Sequence, residues 1–289
     1  MITGETLLYG LVAHPAHHSL SPLIHNMGFD QQAINARYVV FDSQSQPAAV
    51  SQAIDTLGIA GINLSMPYKQ TMRPFVDTLS PSAQLSGAIN TIKNDNGRLI
   101  GINTDGDGFW RALQQASPMQ NRAQTVILGA GGAALAVIEA AASYGVQTLT
   151  VFKRANQTYP QVAKRLAKIA TTRHITINLY PFDDEVALQK TLATTDCLIN
   201  ATNLGMQATP GFPIAPRLIA QIPSACLCAD LIYAPRETAF LKTARLTNHP
   251  TLNGLGMLVE QAALSFEFWT GKTLVTAPIY AALTEENKQ

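Results

Sequence analysis

Two isolated charged side chains in this sequence could move a proton. Lys69 follows the apolar run Ile62–Leu64, and Asp105 lies in a glycine-rich turn ahead of a helical pattern expected to start near Phe109. An ammonium and a carboxylate are groups that act as general acids and bases in enzymes. Each also has a simpler interpretation, because Lys69 could be a surface cation and Asp105 could cap the helix.

A glycine turn in the second half of the chain predicts a dinucleotide site. Gly129, Gly131 and Ala134 match the G-x-G-x-x-A fingerprint between a strand pattern and a helix pattern. Glycine allows the close backbone approach, and the free N–H groups at the helix start can hold a pyrophosphate. The alternative is a turn without a ligand. The predicted cofactor contacts here are Gly129, Ala130, Gly131, Gly132 and Ala133.

The next strand pattern predicts which dinucleotide is bound. It ends in Lys153, Arg154, Ala155 and Asn156, where a site for NAD would carry an acidic residue on the ribose. Two cations favour the 2′-phosphate of NADP, and the planar guanidinium of Arg154 suits it better. NADP is therefore preferred to NAD, with use of both left open. A solvated basic turn is the alternative.

A polar loop near the N-terminus predicts an anion site. Ser19 and Ser21 lie at the start of a helix, where backbone N–H groups attract a carboxylate, although Ser21 could simply cap that helix. The nearby histidines lack an acidic or cysteine partner at a familiar metal spacing, so no metal site is predicted. They are His14, His17, His18 and His25.

Composition excludes several classes of protein. The net charge of +1 over 289 residues gives no broad basic field for nucleic acid or an anionic membrane. No run is long enough to span a bilayer, and the N-terminus lacks the pattern of a secretory signal. The three cysteines are expected to be buried thiols. These features predict a cytoplasmic protein.

Short apolar runs alternate with amphipathic ones, which is typical of an α/β fold. The predicted strands are Leu7–Val12, Tyr38–Phe41, Ile62–Leu64, Ala88–Ile92, Thr125–Leu128, Thr148–Phe152, Thr176–Leu179, Cys197–Asn200 and Ala225–Leu231. The predicted helices begin at Ser21 and cover Pro47–Leu57, Ala133–Tyr144, Val162–Ile169, Glu185–Ala193 and Gly256–Trp269, with more helix to Leu283. We predict an N-terminal α/β substrate domain over residues 1–105, completed by C-terminal helices in 257–289 that pack back on it. Residues 106–256 are predicted to form a Rossmann-type domain with a doubly wound parallel sheet.

Seven segments in this order resemble the shikimate dehydrogenase family over nearly the whole chain. They are His18-Ser-Leu-Ser-Pro22, Ser65-Met-Pro-Tyr-Lys69, Gly87-Ala-Ile-Asn90-Thr91, Asn103-Thr-Asp105-Gly106, Gly129-Ala-Gly-Gly132, Asn200-Ala-Thr202 and Gly254-Leu-Gly-Met257-Leu-Val-Glu-Gln261. His14 and Ser65 stand where the biosynthetic branch usually has Asn and Thr. At both positions this chain resembles the quinate/shikimate dehydrogenase branch.

The resemblance implies roles that the residues alone do not show. Lys69 and Asp105 would be the catalytic pair. The substrate would be held by Ser19, Ser21, Ser65, Asn90, Asp105, Tyr233 and Gln261. The nicotinamide end of the cofactor would lie beside Thr202, Leu231, Gly254 and Met257.

The implied function is reversible NAD(P)-dependent hydride transfer between 3-dehydroshikimate or 3-dehydroquinate and shikimate or quinate. The alternatives are a related dehydrogenase of a similar hydroxy- or amino-carboxylate, or a catalytically weak ligand-sensing paralogue. The expected partner is the small-molecule substrate, without nucleic acid or membrane, and the chain would act as a monomer or homodimer.

Overall fold

The computed structural model describes residues 2–285 and contains two compact units. One unit comprises the described residues of Met1–Gly108 and Val259–Gln289, and the other comprises Phe109–Leu258. Most of the helix Leu255–Thr270 and all of the described residues of the helix Ala277–Glu285 belong to the same unit as the N-terminal segment, which confirms the fold prediction that C-terminal helices pack back on the first domain. No helix within residues 2–285 is long and apolar enough to cross a membrane.

The elements alternate along the chain as an α/β fold requires. In chain order the strands are β1 (Leu7–Ala13), β2 (Ala36–Asp42), β3 (Gly61–Leu64), β4 (Thr78–Leu79), β5 (Thr91–Asp95), β6 (Arg98–Ile102), β7 (Gln124–Leu128), β8 (Thr148–Lys153), β9 (Thr176–Pro181), β10 (Cys197–Asn200), β11 (Leu227–Asp230) and β12 (Thr251–Leu252). The α-helices are α1 (Ser21–Gln31), α2 (Pro47–Thr56), α3 (Tyr68–Thr71), α4 (Pro81–Ser86), α5 (Asp105–Ala116), α6 (Gly132–Ala140), α7 (Tyr159–Arg173), α8 (Glu185–Leu192), α9 (Pro216–Ile219), α10 (Ala239–Leu246), α11 (Leu255–Thr270) and α12 (Ala277–Glu285).

The first unit is built on a mixed sheet of strand order β2-β1-β3-β5-β6-β4. Strand β1 pairs in parallel with β2 and β3, whereas β5 runs antiparallel to both β3 and β6. The carboxyl ends of β1, β2, β3 and β6 therefore meet at the edge where β5 begins. This edge brings together loops from distant parts of the sequence.

Helix α11 packs closely on this sheet through Trp269. The indole Nε1 donates a hydrogen bond of 2.8 Å to the carbonyl oxygen of Ile92. A Cβ atom added at Gly61 would lie 2.6 Å from the same Nε1, so glycine is required for this approach. The ring of Tyr9 packs 5.0 Å from the Trp269 ring, centroid to centroid. Aromatic burial of this kind anchors the C-terminal helix on the sheet.

The second unit contains a fully parallel sheet of strand order β12-β11-β10-β7-β8-β9. Numbered from β7, this is the 3-2-1-4-5-6 order of the doubly wound dinucleotide-binding fold, as predicted. The strand order reverses between β7 and β10, which is where such sheets bind ligands at their carboxyl ends. Helices on both faces cover the sheet, so its strands read as continuous apolar runs.

One predicted helix start and one predicted helix cap were wrong. Helix α5 begins at Asp105 and not near Phe109, because Asp105 and Asp107 supply favourable negative charge in its first turn despite the glycines around them. A Cβ atom at Gly108 would lie 2.7 Å from Gln261, so close packing overrides the low helix propensity of glycine there. At α1, Leu20 occupies the N-cap position and no side chain caps the helix, so Ser21 does not serve as the cap.

The predicted strand Ala88–Ile92 begins three residues later in the structure, as β5. It forms a hairpin with β6, a strand that the sequence interpretation missed. The turn is Asn96-Gly97, with φ angles of 54° and 89°. An Asn-Gly pair is a strong signal for a two-residue hairpin turn, so the sequence contained the information needed.

Candidate active site

The lysine of the predicted pair lies just beyond the carboxyl end of β3. The Ser65 N–H donates to the carbonyl oxygen of Val12 at 3.1 Å, which ties the loop after β3 to β1. Helix α3 then carries Lys69, whose carbonyl oxygen accepts from the Ile89 N–H at 2.8 Å. Backbone hydrogen bonds on both sides thus place Lys69 beside the segment that leads into β5.

Lys69 and Asp105 form a half-buried ion pair. The Nζ atom donates to Asp105 Oδ2 at 2.7 Å, and the two side chains are 22% and 5% exposed. The second oxygen, Oδ1, accepts from Asn90 Nδ2 at 3.0 Å. Both carboxylate oxygens therefore face side chains of the candidate site. Asp105 is thus held by two side chains of this site and also lies in the first turn of α5.

Asn90 connects this pair to helix α11. Its Nδ2 also donates to Thr104 Oγ1 at 2.7 Å and to Gln261 Oε1 at 3.2 Å. Its Oδ1 accepts from the Thr104 N–H at 2.9 Å. Because a backbone N–H can only donate, this contact fixes which end of the amide is oxygen. The structure therefore brings Asn90, Asp105, Lys69 and Gln261 together at one edge of the first sheet.

A clamp that the sequence interpretation missed holds the turn carrying Ser19 and Ser21. Asp42, at the end of β2, accepts from the Ala16 N–H at 2.9 Å and from His14 Nδ1 at 2.6 Å. The Ser19 N–H bonds to the Ala16 carbonyl oxygen at 3.0 Å, and the Ser21 N–H bonds to Ser19 Oγ at 3.2 Å. The hydrogen bond from His14 is the main cause of the lowered pKa of Asp42.

The histidines are used for structure in this unit. His17 Nε2 lies 3.2 Å from Asp42, which His14 also contacts. His25 is buried and stacks on Tyr38 with ring centroids 4.4 Å apart, and burial lowers its pKa to about 3. Among residues 2–285, no group of three or more histidine, cysteine or acidic side chains could hold a metal ion.

The glycine turn of the second unit is shaped for close approach of a ligand. Gly129 has φ +105°, and an added Cβ would lie 2.9 Å from the carbonyl oxygen of Ala201 after β10. At Gly131 no atom lies within 4 Å of an added Cβ, so the space above the backbone is open. Gly131 is also the N-cap of α6 and offers no capping side chain. The N–H groups at the start of α6 are therefore oriented for an anion.

The two cations after β8 have different environments. Lys153 is buried, and its Nζ donates to Asn156 Oδ1 at 2.5 Å and to the Arg154 carbonyl oxygen at 3.1 Å. Burial, assisted by the charge of Arg154, lowers the pKa of Lys153. Arg154 is exposed. Lys153 thus shapes the turn, while Arg154 presents its guanidinium to solvent.

A buried carboxylate organises the loops after β10 and β11, and the sequence interpretation missed it. Asp230 accepts from Asn200 Nδ2 at 3.1 Å, from Thr238 Oγ1 at 2.8 Å and from the Ile232 N–H at 3.0 Å. Burial raises the pKa of Asp230. Asn200 Oδ1 in turn accepts from the hydroxyl of Thr202 at 2.7 Å. This network fixes the loop that carries Thr202.

Four other predicted residues, Leu231, Tyr233, Gly254 and Met257, lie in the second unit. A Cβ atom at Gly254 would lie 2.1 Å from the Leu231 carbonyl oxygen, so only glycine fits there. Met257 is buried on the first turn of α11. Tyr233 is partly buried, and burial raises its pKa.

Comparison with known proteins decides the family. The chain is 62% identical over 287 residues to the shikimate dehydrogenase (NADP(+)) of Latilactobacillus sakei subsp. sakei, covering 99% of each chain. This chain belongs to the shikimate dehydrogenase family. Two family models match it. The shikimate dehydrogenase substrate binding domain covers residues 11–92, and the shikimate 5'-dehydrogenase C-terminal domain covers residues 254–284.

Solved structures of the shikimate dehydrogenase family share this fold. Shikimate 5-dehydrogenase from Listeria monocytogenes, in complex with shikimate and NAD, is 35% identical with a TM-score of 0.89 and 98% coverage of each chain. Quinate dehydrogenase from Corynebacterium glutamicum, in complex with NAD, is 28% identical with a TM-score of 0.86, covering 97% of this chain and 99% of its own. The similar solved structures therefore include enzymes named for each of the two substrates anticipated from the sequence.

Proposed function

We propose that this chain is an NADP-dependent shikimate dehydrogenase, which interconverts 3-dehydroshikimate and shikimate. The observation that carries the proposal is the Lys69–Asp105 ion pair, braced by Asn90, in a chain 62% identical to a shikimate dehydrogenase (NADP(+)). A lysine ammonium held 2.7 Å from a carboxylate is suited to give a proton to a ring oxygen beside it, and the neutral amine that results can take the proton back.

In this proposal the first unit holds the substrate. The hydroxyls of Ser19 and Ser21 bind the ring carboxylate, and Ser65, Asn90 and Gln261 bind the ring hydroxyls. Tyr233, from the loop after β11, is proposed as a further substrate contact. Hydroxyl and amide groups suit a polyol because each can both donate and accept, whereas an unpaired substrate hydroxyl would be costly.

Lys69 and Asp105 have different roles in the proposed proton transfer. During reduction the Lys69 ammonium donates a proton to the oxygen of the ring ketone as that oxygen becomes a hydroxyl. Asp105 orients the lysine and keeps its charge balanced, and during oxidation Lys69 takes the proton back. General acid–base assistance of this kind is worth about 10² to 10⁴ in rate.

The residues of the second unit fit NADP. The open backbone at Gly131 and the uncapped start of α6 suit the pyrophosphate, and Gly129, Ala130, Gly132 and Ala133 complete that turn. Arg154, supported by Lys153, would hold the 2′-phosphate. Thr202, Leu231, Gly254 and Met257 are proposed to border the nicotinamide. When bound, the dinucleotide supplies the hydride that the substrate carbon accepts.

The three cysteines support a cytoplasmic location. Cys197, Cys226 and Cys228 are free and buried, as predicted, which suits a reducing compartment. We propose that the protein works there as a monomer or homodimer with a small-molecule substrate.

Steady-state kinetics with shikimate and quinate, each with NAD⁺ and NADP⁺, tests the function directly. We expect the highest kcat/KM for shikimate with NADP⁺, at least about tenfold above that for shikimate with NAD⁺, because one charge-assisted phosphate contact is worth that much. Preference for quinate would support the second candidate, which the Corynebacterium glutamicum quinate dehydrogenase fold and Ser65 favour. Absence of turnover with both acids would overturn the proposal.

Replacing Asp42 tests the role of the turn that carries Ser19. Asp42→Ala removes the acceptor of the Ala16 N–H and the partner of His14. We expect KM for shikimate to rise about three- to tenfold, with kcat and KM for NADP⁺ unchanged, as for the loss of one hydrogen bond used in binding. Asp30→Ala, at an exposed aspartate paired with Arg37, is the control. A fall in kcat with unchanged KM would contradict a role in substrate binding.

A further inference from the structure

Buried polar side chains surround Thr91, at the start of β5, and the proposed function gives roles to only some of them. Thr91 and Ser265 are fully buried, and Asn63 is 5% exposed. Burying a hydroxyl or an amide is costly unless it is hydrogen-bonded. The contacts made by these groups therefore indicate what they stabilise.

The hydrogen bonds form a connected path toward the candidate site. Tyr38 Oη donates to Asn63 Oδ1 at 2.8 Å. Asn63 Nδ2 donates to Thr91 Oγ1 at 3.0 Å and to Ser265 Oγ at 3.2 Å. Thr91 Oγ1 then donates to Asn90 Oδ1 at 3.0 Å.

Which atom donates in each of these hydrogen bonds follows from the number of protons that each group carries. The amide nitrogen of Asn63 can only donate, so both hydroxyl oxygens that it faces act as acceptors. Asn90 Oδ1 is an amide oxygen that accepts from the Thr104 N–H, so Thr91 must be the donor in the 3.0 Å contact between Thr91 Oγ1 and Asn90 Oδ1. A hydroxyl has a single proton, so in the 2.7 Å contact between the Oγ atoms of Thr91 and Ser265 the donor is Ser265.

The hydrogen bond from the Thr91 hydroxyl affects the orientation of the Asn90 amide. Its Oδ1 receives the Thr91 hydroxyl and the Thr104 N–H, so its Nδ2 is left facing Asp105 Oδ1 at 3.0 Å. A rotated amide would place its oxygen against the carboxylate, where two acceptors repel each other. Asp105 in turn accepts from Lys69 Nζ through its other oxygen.

We propose that Thr91 is a positioning residue, whose hydroxyl holds the Asn90 amide in the orientation that donates to Asp105. The role rests on the proposed function, because it acts on the Lys69–Asp105 pair. Thr91 does not touch the substrate in this scheme. It limits the rotation of Asn90, and so keeps the carboxylate where it can orient Lys69.

Thr91→Val tests this with little change of shape, since it replaces the hydroxyl with a methyl group and keeps the β-branched strand residue. We expect kcat for shikimate oxidation to fall about ten- to a hundredfold, as for small misplacements of catalytic groups. KM for NADP⁺ should stay within about twofold. Thr91→Ser restores the hydroxyl and is expected to restore kcat to within about threefold of the wild type.

A double-mutant cycle separates positioning from general destabilisation. In an Asn90→Ala background, Thr91→Val should change kcat less than about twofold, because the group through which it acts is absent. An equal fall in both backgrounds would overturn the proposal. Thr125→Val is the matched control, because Thr125 is also a buried strand threonine whose hydroxyl bonds locally, to the Arg122 carbonyl oxygen at 2.8 Å.

Three further outcomes decide the remaining cases. If Thr91→Val does not fold, Thr91→Ala takes its place, and wild-type kcat in that variant overturns the proposal. If the wild-type protein turns over shikimate and Thr91→Val matches it, the inference about Thr91 fails alone. If the wild-type protein does not turn over shikimate, the proposed function is the part that has failed, and the role of Thr91 falls with it.

Discussion

Lys69→Ala is expected to lower kcat for shikimate oxidation by about 10² to 10⁴, the typical worth of a general acid or base. The lysine Nζ lies 2.7 Å from Asp105 Oδ2 and the side chain is only 22% exposed, and a water molecule that filled the vacated space would lack the positive charge of the ammonium. The variant lacks the proton donor and leaves Asp105 without its partner. KM for NADP⁺ should change less than about threefold, because Lys69 and the glycine turn belong to different units.

Lys93→Ala is the matched control for this variant. Lys93 is a partly buried lysine on β5 whose Nζ donates to the Phe268 carbonyl oxygen at 3.3 Å. We expect its kcat to remain within about twofold of the wild type, since the proposed chemistry does not use it. Equal losses of kcat in the two variants, or a Lys69→Ala protein that loses cofactor affinity as much as turnover, would contradict the assignment.

Arg154→Ala is expected to raise KM for NADP⁺ about tenfold to a hundredfold while leaving KM for NAD⁺ nearly unchanged. The reason is that a charge-assisted bond to a phosphate contributes about 1.5–3 kcal/mol, and NAD has no 2′-phosphate. Arg154 is exposed at the end of β8, where its guanidinium is free to meet a ligand. The ratio of the two kcat/KM values for NADP⁺ and NAD⁺ measures the effect.

Two further variants serve as comparisons for Arg154→Ala. Arg245→Ala removes another exposed arginine of the same unit, which pairs with Glu237 at 2.7 Å, and should not change the cofactor ratio. Lys153→Met removes the cation that holds Asn156, so we expect a smaller loss that affects both cofactors. An unchanged ratio in Arg154→Ala would assign recognition of the 2′-phosphate to another group.

The second unit was the easier one to predict from the sequence. Its central parallel strands are buried on both faces and read as apolar runs, so Cys197–Asn200 was predicted with the bounds that the structure has for β10. The glycine turn lies between a strand and a helix, as its sequence context indicated. The two-residue strands β4 and β12 have no such run, and their pairing is set by tertiary contacts.

The supporting contacts of the first unit could not be read from local patterns. Asp42 and Ser265 are separated in sequence from the residues that they hold, and their roles depend on the sheet register and on helix α11. Asn63 did offer a weak signal, because it is a polar residue between Ile62 and Leu64 in a fully buried strand. A buried amide of this kind requires partners, although the sequence does not say which ones.

The discontinuous first unit has a consequence for how the protein is made. Asn90 and Gln261, which meet at the candidate site, are 171 positions apart in the chain. At ribosomal speeds of about 5–20 residues per second, Gln261 is synthesised about 10 to 30 s after Asn90. The contiguous stretch Phe109–Leu258 can fold during that interval, whereas the sheet of the first unit must wait for Trp269 to cover it. The cluster of Lys69, Asp105, Asn90 and Gln261 is therefore completed only after Phe109–Leu258 has been synthesised, and a nascent polypeptide that has not reached Gln261 lacks it.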